Sequence, residues 1–360
     1  MSKERHVFPG GNTSQGFYSF YHYILPQEEA NKIIILKGGP GTGKSSLMKK
    51  IASYYLTKGY SVEYHHCSSD NNSIDGVIVT ELKVAILDGT APHVNDPLTP
   101  GAIDEIINLG DCWNQSGLEA DKNDILSTFS TISKHFKRAY RYFASAKAIH
   151  EDWSQLNSET IDLNLLDNIS SKLNFLLPLT SDKHSRGKER HLFATAFTPN
   201  GIVTYIDNLI KDYKKVKVLK GGPGLHKTDI LQTLKESAIK LGLDVEVFHD
   251  PFIPSRLEHI LIPELSIAIL TSNEINKKDF NYDVLNLEII CDQTLLQNNT
   301  TEIIYDEIKF NELVNKGLDC IKNAKALHDK LETYYVQNMD FSKVDNIFNE
   351  IVNKFDKYRP

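Results

Sequence analysis

The chain has 360 residues, of which 41% are apolar and 24% are charged, values typical of a globular protein long enough for two domains. Its net charge of -7 argues against nucleic acid as a partner, because phosphate backbones are bound by clustered basic surfaces. The basic runs at residues 183–190 and 211–220 are therefore expected to be solvated linker and helix faces.

Four cysteines are widely spaced, and none forms a Cys-x-x-Cys pair. This pattern predicts free thiols in a reducing compartment. The first residues lack the apolar core of a signal peptide, and no apolar run reaches the ~18 residues of a membrane span. We therefore expect a cytoplasmic protein without membrane contact.

A buried strand is predicted at residues 33–36, after a glycine-bearing lead-in at residues 6–16. The loop "GGPGTGKS" follows, and then a helix with Leu47, Ile51 and Tyr55 at helical spacing. Gly59 stands where a left-handed residue commonly ends a helix. The order strand, glycine-rich loop, helix is the context in which backbone N–H groups and a helix dipole hold phosphate.

The loop satisfies the pattern G-x-x-x-x-G-K-[ST] in full. Lys44 is predicted to reach the β- and γ-phosphates of a nucleotide, and the Ser45 hydroxyl to ligate Mg²⁺. A glycine-rich turn without a ligand is the alternative. The predicted nucleotide-binding residues are Gly38, Gly39, Pro40, Gly41, Thr42, Gly43, Lys44, Ser45 and Ser46.

Further strands are predicted at residues 61–66, 76–79 and 84–87. The last delivers Asp88 to the carboxyl end of a buried strand, where ligands bind in parallel sheets, so Asp88 is a predicted Mg²⁺ ligand and, with Lys44, a predicted catalytic residue. A turn-forming role before Gly89 is the alternative. Strands that alternate with helices predict a mostly parallel sheet covered on both faces.

No glutamate follows Asp88, so a base that activates water has to come from elsewhere. Candidates are Asp70, Glu81, His66 and His93. His65, His66, Cys67 and Asp70 also raise the question of zinc, but no second ligand pair has the usual spacing, and we expect no metal besides Mg²⁺.

A polar segment with apolar periodicity, residues 117–177, predicts a helical tail. A short helical hairpin is the plainest interpretation; coiled-coil pairing is the alternative, although no sustained heptad is present. The polar stretch "TSDKHSRGKER" is the predicted linker. The predicted domains are residues 1–183, with a tail at about 115–180, and residues 184–360, with a tail at about 310–357.

The second half repeats the first. Gly221 stands 183 positions after Gly38, and at that same offset "ELKVAIL" faces "ELSIAIL" without a gap. In the tails, "AKAIH" at residues 146–150 matches "AKALH" at residues 324–328, and Asp162 matches Asp340, both at an offset of 178. Ordered matches over a half-chain indicate a duplication, and hence two domains of the same α/β class.

The second loop, "GGPGLHKT", carries His226 where the first has Gly43, and Thr271 stands at the position of Asp88. A side chain costs ~1–2 kcal/mol where the backbone needs a positive φ. Lys227 and Thr228 are retained, but a backbone position and a metal carboxylate are both lost. The second loop is predicted to bind nucleotide weakly or not at all; binding without hydrolysis is the alternative.

The combination of "GGPGTGKSS", "HCSSD", "DGTAPH" and "PGAIDEIINLGD" with "HLFATAFTPNG" and "AKALHDKLETYY" resembles a family of tandem P-loop ATP-binding proteins of spore-forming Firmicutes. The resemblance covers nearly the whole chain and implies an ATPase-like fold and ATP as the nucleotide. It implies no particular substrate. The chain departs from the family pattern at His226 and Thr271.

Three functions are compatible with these features. The first is slow Mg²⁺-dependent ATP hydrolysis in the first half, with the second half as a pseudo-subunit, for which Arg138, Arg141, Arg186 and Arg256 are candidate fingers from a neighbouring domain. The second is phosphoryl transfer to an unknown acceptor. The third is a nucleotide-gated scaffold with negligible turnover.

Overall fold

The chain folds into two similar α/β domains joined by long helices, seen in a computed structural model that describes residues 3–90 and 96–360. The repeat predicted two domains of the same α/β class, and the two six-stranded sheets confirm that prediction. No helix within these described ranges is long and apolar enough to cross a membrane. All four cysteines are buried and none is in a disulfide, in agreement with the thiols predicted from their spacing.

Within the described residues, the first domain contains eight strands and the helix that follows the first glycine-rich loop. The strands are β1 (Glu4–Val7), β2 (Gly10–Thr13), β3 (Gly16–Ser19), β4 (Lys32–Lys37), β5 (Val62–His66), β6 (Ile74–Val79), β7 (Val84–Asp88) and β8 (Asp104–Asn108). The helices up to the linker are α1 (Lys44–Thr57), α2 (Gln115–Ala120), α3 (Lys122–Ser158) and α4 (Leu163–Asn174).

Six of these strands form one sheet in the order β1-β5-β6-β7-β4-β8, and β2 and β3 form a separate hairpin. β6 runs antiparallel to its neighbours, and the other pairs are parallel. The central strand β4 is covered on both faces: Ile34 and Leu36 pack with α1, while Ile33 and Ile35 pack on the opposite face with Tyr21. This double burial explains its continuous apolar run.

The second domain repeats this arrangement, with sheet order β9-β13-β14-β15-β12-β16 and a β10-β11 hairpin. Its strands are β9 (Glu189–Leu192), β10 (Thr195–Thr198), β11 (Gly201–Thr204), β12 (Lys215–Lys220), β13 (Val245–His249), β14 (Leu257–Ile262), β15 (Ile267–Ser272) and β16 (Asp283–Asn286). Its helices are α5 (Ile206–Ile210), α6 (Lys227–Lys240), α7 (Gln293–Val336) and α8 (Phe341–Phe355).

The two domains contact each other just beyond the ends of β1 and β9. Phe8 and Phe193 exchange two backbone hydrogen bonds, of 2.9 and 3.0 Å. Beside them Arg190 donates to Glu63 at 3.0 Å, and Arg5 donates to Glu246 at 2.8 Å. Arg190 was expected to be solvated with the rest of its basic run; that expectation is wrong for this residue, because β9 begins at Glu189 and brings the guanidinium to a buried carboxylate.

The helical tails differ from the predicted short hairpins. α3 has 37 residues and α7 has 44, and α7 begins at Gln293, ahead of the predicted start at residue 310. They pack antiparallel against each other, with Phe143 of α3 beside Phe310 and Ile321 of α7. The long pairing arises because each amphipathic tail finds its apolar partner in the other tail.

The ends of the tails are exchanged between the domains. Val344, Ile351 and Phe355 of α8 belong to the core of the first domain, packed with α1. Leu166 and Leu173 of α4 belong to the core of the second domain, packed with α6. Each domain core is therefore completed by a helix from the other half of the chain.

Candidate functional site

The first glycine-rich loop, residues 38–45, connects the carboxyl end of β4 to the first turn of α1. Gly41 and Gly43 adopt positive φ values of 70° and 88°, which glycine adopts readily and other residues rarely do. Gly43 is the residue preceding α1. The turn therefore directs the N–H groups of Lys44, Ser45 and the next residue, which have no partner inside the helix, towards the loop. This geometry favours an anion.

Lys44 lies folded back over the loop and is 8% exposed. Its Nζ donates to the carbonyls of Gly38 and Gly39, both at 2.7 Å, and lies 3.7 Å from Asp88 Oδ2. Burial lowers the pKa of the Lys44 amine, and the neighbouring Asp88 carboxylate opposes that shift. The amine is thus held at the mouth of the loop by backbone carbonyls that an anion can replace.

Asp88 ends β7 and is paired in register with Leu36 of β4, so it lies beside the loop as its strand position predicts. Its Oδ1 accepts a hydrogen bond of 2.8 Å from the N–H of Thr90. Ser45 faces the same space, and its Oγ accepts from the N–H of Ile74 at 3.1 Å. The structure therefore brings the predicted residues Lys44, Ser45 and Asp88 together.

A cavity of about 1090 Å³ opens above the loop. Gly39, Lys44 and Asp88 line its floor, and Ile132 and Tyr140 of α3 are part of its side wall. Sites for small molecules and cofactors usually enclose ~300–1,000 Å³ and combine apolar walls with a few polar groups. This cavity is large enough for a nucleotide with space to spare.

The sequence did not reveal that the second half supplies the remaining wall. On α7, the side chains of Lys325, His328, Glu332 and Tyr335 line the cavity. The backbone of Glu332 packs so closely on the loop that a Cβ on Gly41 would lie 2.7 Å from its carbonyl oxygen. The matched "AKAIH" and "AKALH" segments were the available sequence signal of this contribution. Two such segments in a duplicated chain occupy equivalent positions.

A second acid in the cavity was also missed. Asp75, in the apolar strand β6, is 4% exposed and accepts a hydrogen bond of 2.7 Å from the Tyr21 hydroxyl. It contributes, after Asp88, to the negative charge around Lys44. A carboxylate within an apolar strand is itself a signal, because burying one requires a specific partner.

Among the predicted bases, only Asp70 is found in this cavity within the described residues. Glu81 accepts from Ser61 at the opposite end of the strands, and His66 lies 2.9 Å from His6 in the domain interface, so neither prediction fits the structure. His93 lies outside the described residues. None of the four candidate arginines lines the cavity; Arg138 bonds to Tyr142, and Arg256 lies near His150.

The second loop keeps the backbone shape of the first. His226 precedes α6 with φ 50° and ψ 25°, so the backbone does take a positive φ at this position. Its ring is held by Asp229 at 2.6 Å and by the Ser158 hydroxyl at 3.2 Å. These contacts offset part of the backbone strain, which is ~1–2 kcal/mol.

The space above the second loop contains groups of the protein itself. A Cβ on Gly224 would lie 1.9 Å from the Ser154 carbonyl oxygen of α3, and Asn157 donates to the Pro223 carbonyl at 2.9 Å. Lys227 bonds to the carbonyls of Gly221 and Gly222. The end of α3 therefore covers this loop more closely than the end of α7 covers the first.

Lys227 also has a different acid beside it. Burial alone would raise the pKa of Glu274, but its hydrogen bond with His150 and the charge of Lys227 lower that pKa to about 2. Thr271, at the position of Asp88, pairs in register with Leu219 and is 1% exposed. The second loop thus has a buried lysine under the influence of the Glu274 charge, and Thr271 in place of the Asp88 carboxylate.

Comparisons with known proteins assign no family. No family model matches the chain, and no solved structure matches it significantly. A segment of 108 residues, 30% of the chain, is 25% identical to part of the tRNA uridine 5-carboxymethylaminomethyl modification enzyme MnmG of Streptococcus mutans, and the match covers 17% of that protein. So short a match at this identity carries no functional argument.

Proposed function

We propose that the protein binds ATP with Mg²⁺ at the first loop and hydrolyses it slowly, with the second half acting as a pseudo-subunit. The observation that carries the proposal is the conjunction of a left-handed Gly43, the amine of Lys44 and the Asp88 carboxylate at the floor of one cavity. It agrees with the function implied by the resemblance to tandem P-loop ATP-binding proteins. Four buried cysteines outside any disulfide suit the reducing cytoplasm.

The phosphates would replace the carbonyl groups that now hold Lys44. In the proposed complex the backbone N–H groups of the loop and the first turn of α1 point at the β- and γ-phosphates, and the Lys44 amine turns from Gly38 and Gly39 to the same oxygens. Because Lys44 is nearly buried, its charge acts through a medium less polarisable than water, which strengthens its attraction for the anion.

The residues present fit a magnesium ion. Mg²⁺ prefers hard oxygen ligands, and the Ser45 hydroxyl and the carboxylates of Asp88 and Asp75 line one wall of the cavity. We propose Ser45 and Asp88 as its ligands. Bound there, the ion would neutralise charge on the phosphate oxygens. Asp70, hydrogen-bonded to the Ser73 hydroxyl at 2.9 Å, remains the candidate base for the attacking water.

Phosphate release from ATP in the presence of Mg²⁺ tests the proposal. Wild-type protein is expected to release phosphate, and Lys44→Ala should reduce the rate to background. Asp88→Asn should reduce it by at least ~10-fold, since one charged ligand of the metal is lost. Lys58→Ala, which removes an exposed amine at the far end of α1, is the matched control and should match wild type. Equal rates in Lys44→Ala and Lys58→Ala would overturn the proposal.

A phosphotransferase is the second candidate, favoured by the size of the cavity. Its apolar wall on α3, with Phe129, Ile132 and Phe136, leaves space for an acceptor beside a nucleotide. Such an enzyme would consume ATP quickly only when a pool of metabolites is added. A nucleotide-gated scaffold would show a melting shift with ATP and no phosphate above the Lys44→Ala background.

A further inference from the structure

The exchanged helix α7 brings a cation from the second half to the first loop. Lys325, His328, Glu332 and Tyr335 are spaced i, i+3, i+7 and i+10, so they share the face of α7 that lines the cavity. Among the described residues of the second half, Lys325 supplies the amine in this wall. Its side chain is 20% exposed.

Two sets of contacts place Lys325 across the cavity from the phosphate-binding groups. On its own helix, Glu332 packs on Gly41, about two turns away. On the other side, Lys325 Nζ lies 3.2 Å from Asp70 Oδ2. Asp70 belongs to the connection that leads into β6, and Ile74, the first residue of β6, donates its N–H to Ser45 Oγ in the first turn of α1.

Two carboxylates surround the amine of Lys325. It pairs with Asp70 from the first half and with Asp329 on its own helix. A terminal phosphate carries more negative charge than either carboxylate and presents three acceptor oxygens, so it can compete for the amine. The pairs with Asp70 and Asp329 keep Lys325 at the cavity without fixing it in a buried hydrogen-bond network.

We propose that Lys325 contacts the γ-phosphate of ATP bound at the first loop, and so makes the second half a sensor of ATP over ADP. This inference rests on the proposed function. The contact exists only when the γ-phosphate is present, whereas Lys44 contacts nucleotide in either state. The contact would also explain why the exchange of helices matters for function, because the loop and Lys325 come from different halves of the chain.

The pseudo-equivalent lysine provides a matched control. Lys147 occupies the corresponding position in "AKAIH", on α3 beside the second loop. It pairs with Glu151 on its own helix at 3.2 Å and is 34% exposed. Lys147→Ala removes the same charge as Lys325→Ala, at the equivalent position of the other long helix, and leaves the first cavity unchanged.

The test is the ratio of ATP to ADP affinity, measured by calorimetric titration with Mg²⁺ on the full chain. Wild type and Lys147→Ala are expected to prefer ATP. Lys325→Ala should weaken ATP binding by ~10-fold or more, the usual loss for one charge-assisted hydrogen bond, and leave ADP affinity within ~2-fold. Lys325→Arg should keep the preference. Lys325→Gln, which retains the length and polarity of the side chain, repeats the test if Lys325→Ala does not fold.

The outcomes separate this inference from the proposed function. If wild type binds neither nucleotide, the proposed function fails and the role of Lys325 fails with it. If wild type prefers ATP and Lys325→Ala preserves that preference, the loop binds ATP and the role of Lys325 is wrong. A merely structural Lys325 would weaken ATP and ADP binding equally.

Discussion

At the scale of single residues, the position before α1 and α6 decides how alike the two loops are. Both Gly43 and His226 are left-handed, with φ 88° and 50°. The repeat aligns the two residues; the sequence left open whether this position needs a positive φ, and the structure shows that it does in both loops. The contacts of His226 with Asp229 and Ser158 were not predictable, since Ser158 lies at the end of a helix whose packing the sequence does not specify.

Replacing Gly43 with alanine should separate strain from function. Gly43→Ala and Gly59→Ala both place a Cβ on a residue with φ near 90°, and each should lower the free energy of unfolding by ~1 kcal/mol. The added methyl at Gly43 lies 3.3 Å from the ring of Phe341, the first residue of α8, which also lines the cavity, whereas nothing lies within 4 Å of the one at Gly59. Only Gly43→Ala should reduce the melting shift produced by ATP. An unchanged shift in Gly43→Ala would contradict the assigned loop geometry.

Two histidine pairs predict how stability depends on pH. Burial and the neighbouring His191 lower the pKa of His249 to about 4, and burial and His6 lower that of His66 to about 3. His249 donates from Nδ1 to the Pro254 carbonyl and accepts from His191, an arrangement that requires the neutral ring. In the unfolded chain both groups titrate near 6.5. The unfolded state therefore binds more protons below that pH, and stability falls as the pH drops from about 6.5 towards 4.

Urea unfolding at pH 7, 6 and 5 checks this dependence. His249→Gln should reduce the slope of the free energy of unfolding against pH by ~1 kcal/mol per pH unit, because one group that gains a proton only on unfolding is removed. His184→Gln, in the exposed linker, should keep the wild-type slope. Identical slopes for the two variants would show that His249 does not carry the effect.

At the scale of elements, the exchange of α4 and α8 is the feature that the sequence concealed. The strands, the loop and α1 follow from local patterns: apolar runs for β4 and β7, and helical spacing for α1. The helical ends carry equally clear patterns, and the matched Asp162 and Asp340 do cap α4 and α8. An amphipathic pattern predicts that one face of a helix is buried, but it does not indicate which of two homologous cores covers that face.

Truncating Phe355 tests where α8 packs. This side chain is 1% exposed and contacts the Tyr55 ring in the first core, so Phe355→Ala should lower the free energy of unfolding by ~3–5 kcal/mol. Phe175→Ala removes the same atoms from a side chain that is 77% exposed and should change it by less than ~0.5 kcal/mol. A loss below ~1 kcal/mol for Phe355→Ala would contradict the packing of α8 on the first core.

At the scale of the whole molecule, the two halves depend on each other. The first core lacks α8 when the chain is cut at the linker, and the second core lacks α4. Fragments 1–183 and 184–360 should therefore be insoluble or loosely folded alone and should form a stable complex when expressed together. A cooperative melting transition for fragment 1–183 alone, at the temperature of the full chain, would show that the exchanged helix is dispensable.

The same interdependence limits what the sequence could predict of the site. Lys44, Ser45 and Asp88 lie within one repeat and were found from spacing alone. Lys325 and Glu332 come from the other repeat, far along the chain, and reach the loop only through the antiparallel pairing of α3 and α7. None of the four predicted arginine fingers lines the cavity, because which side chains of one half reach the loop of the other depends on packing between the halves.

Calorimetric stoichiometry tests the asymmetry of the two loops most directly. With ATP and Mg²⁺ in excess, wild-type protein and Lys227→Ala should each bind about one nucleotide per chain, and Lys44→Ala should bind none, since the charge that holds the β- and γ-phosphates is removed. Binding retained in Lys44→Ala and lost in Lys227→Ala would contradict the account, because the nucleotide would then occupy the loop that α3 covers.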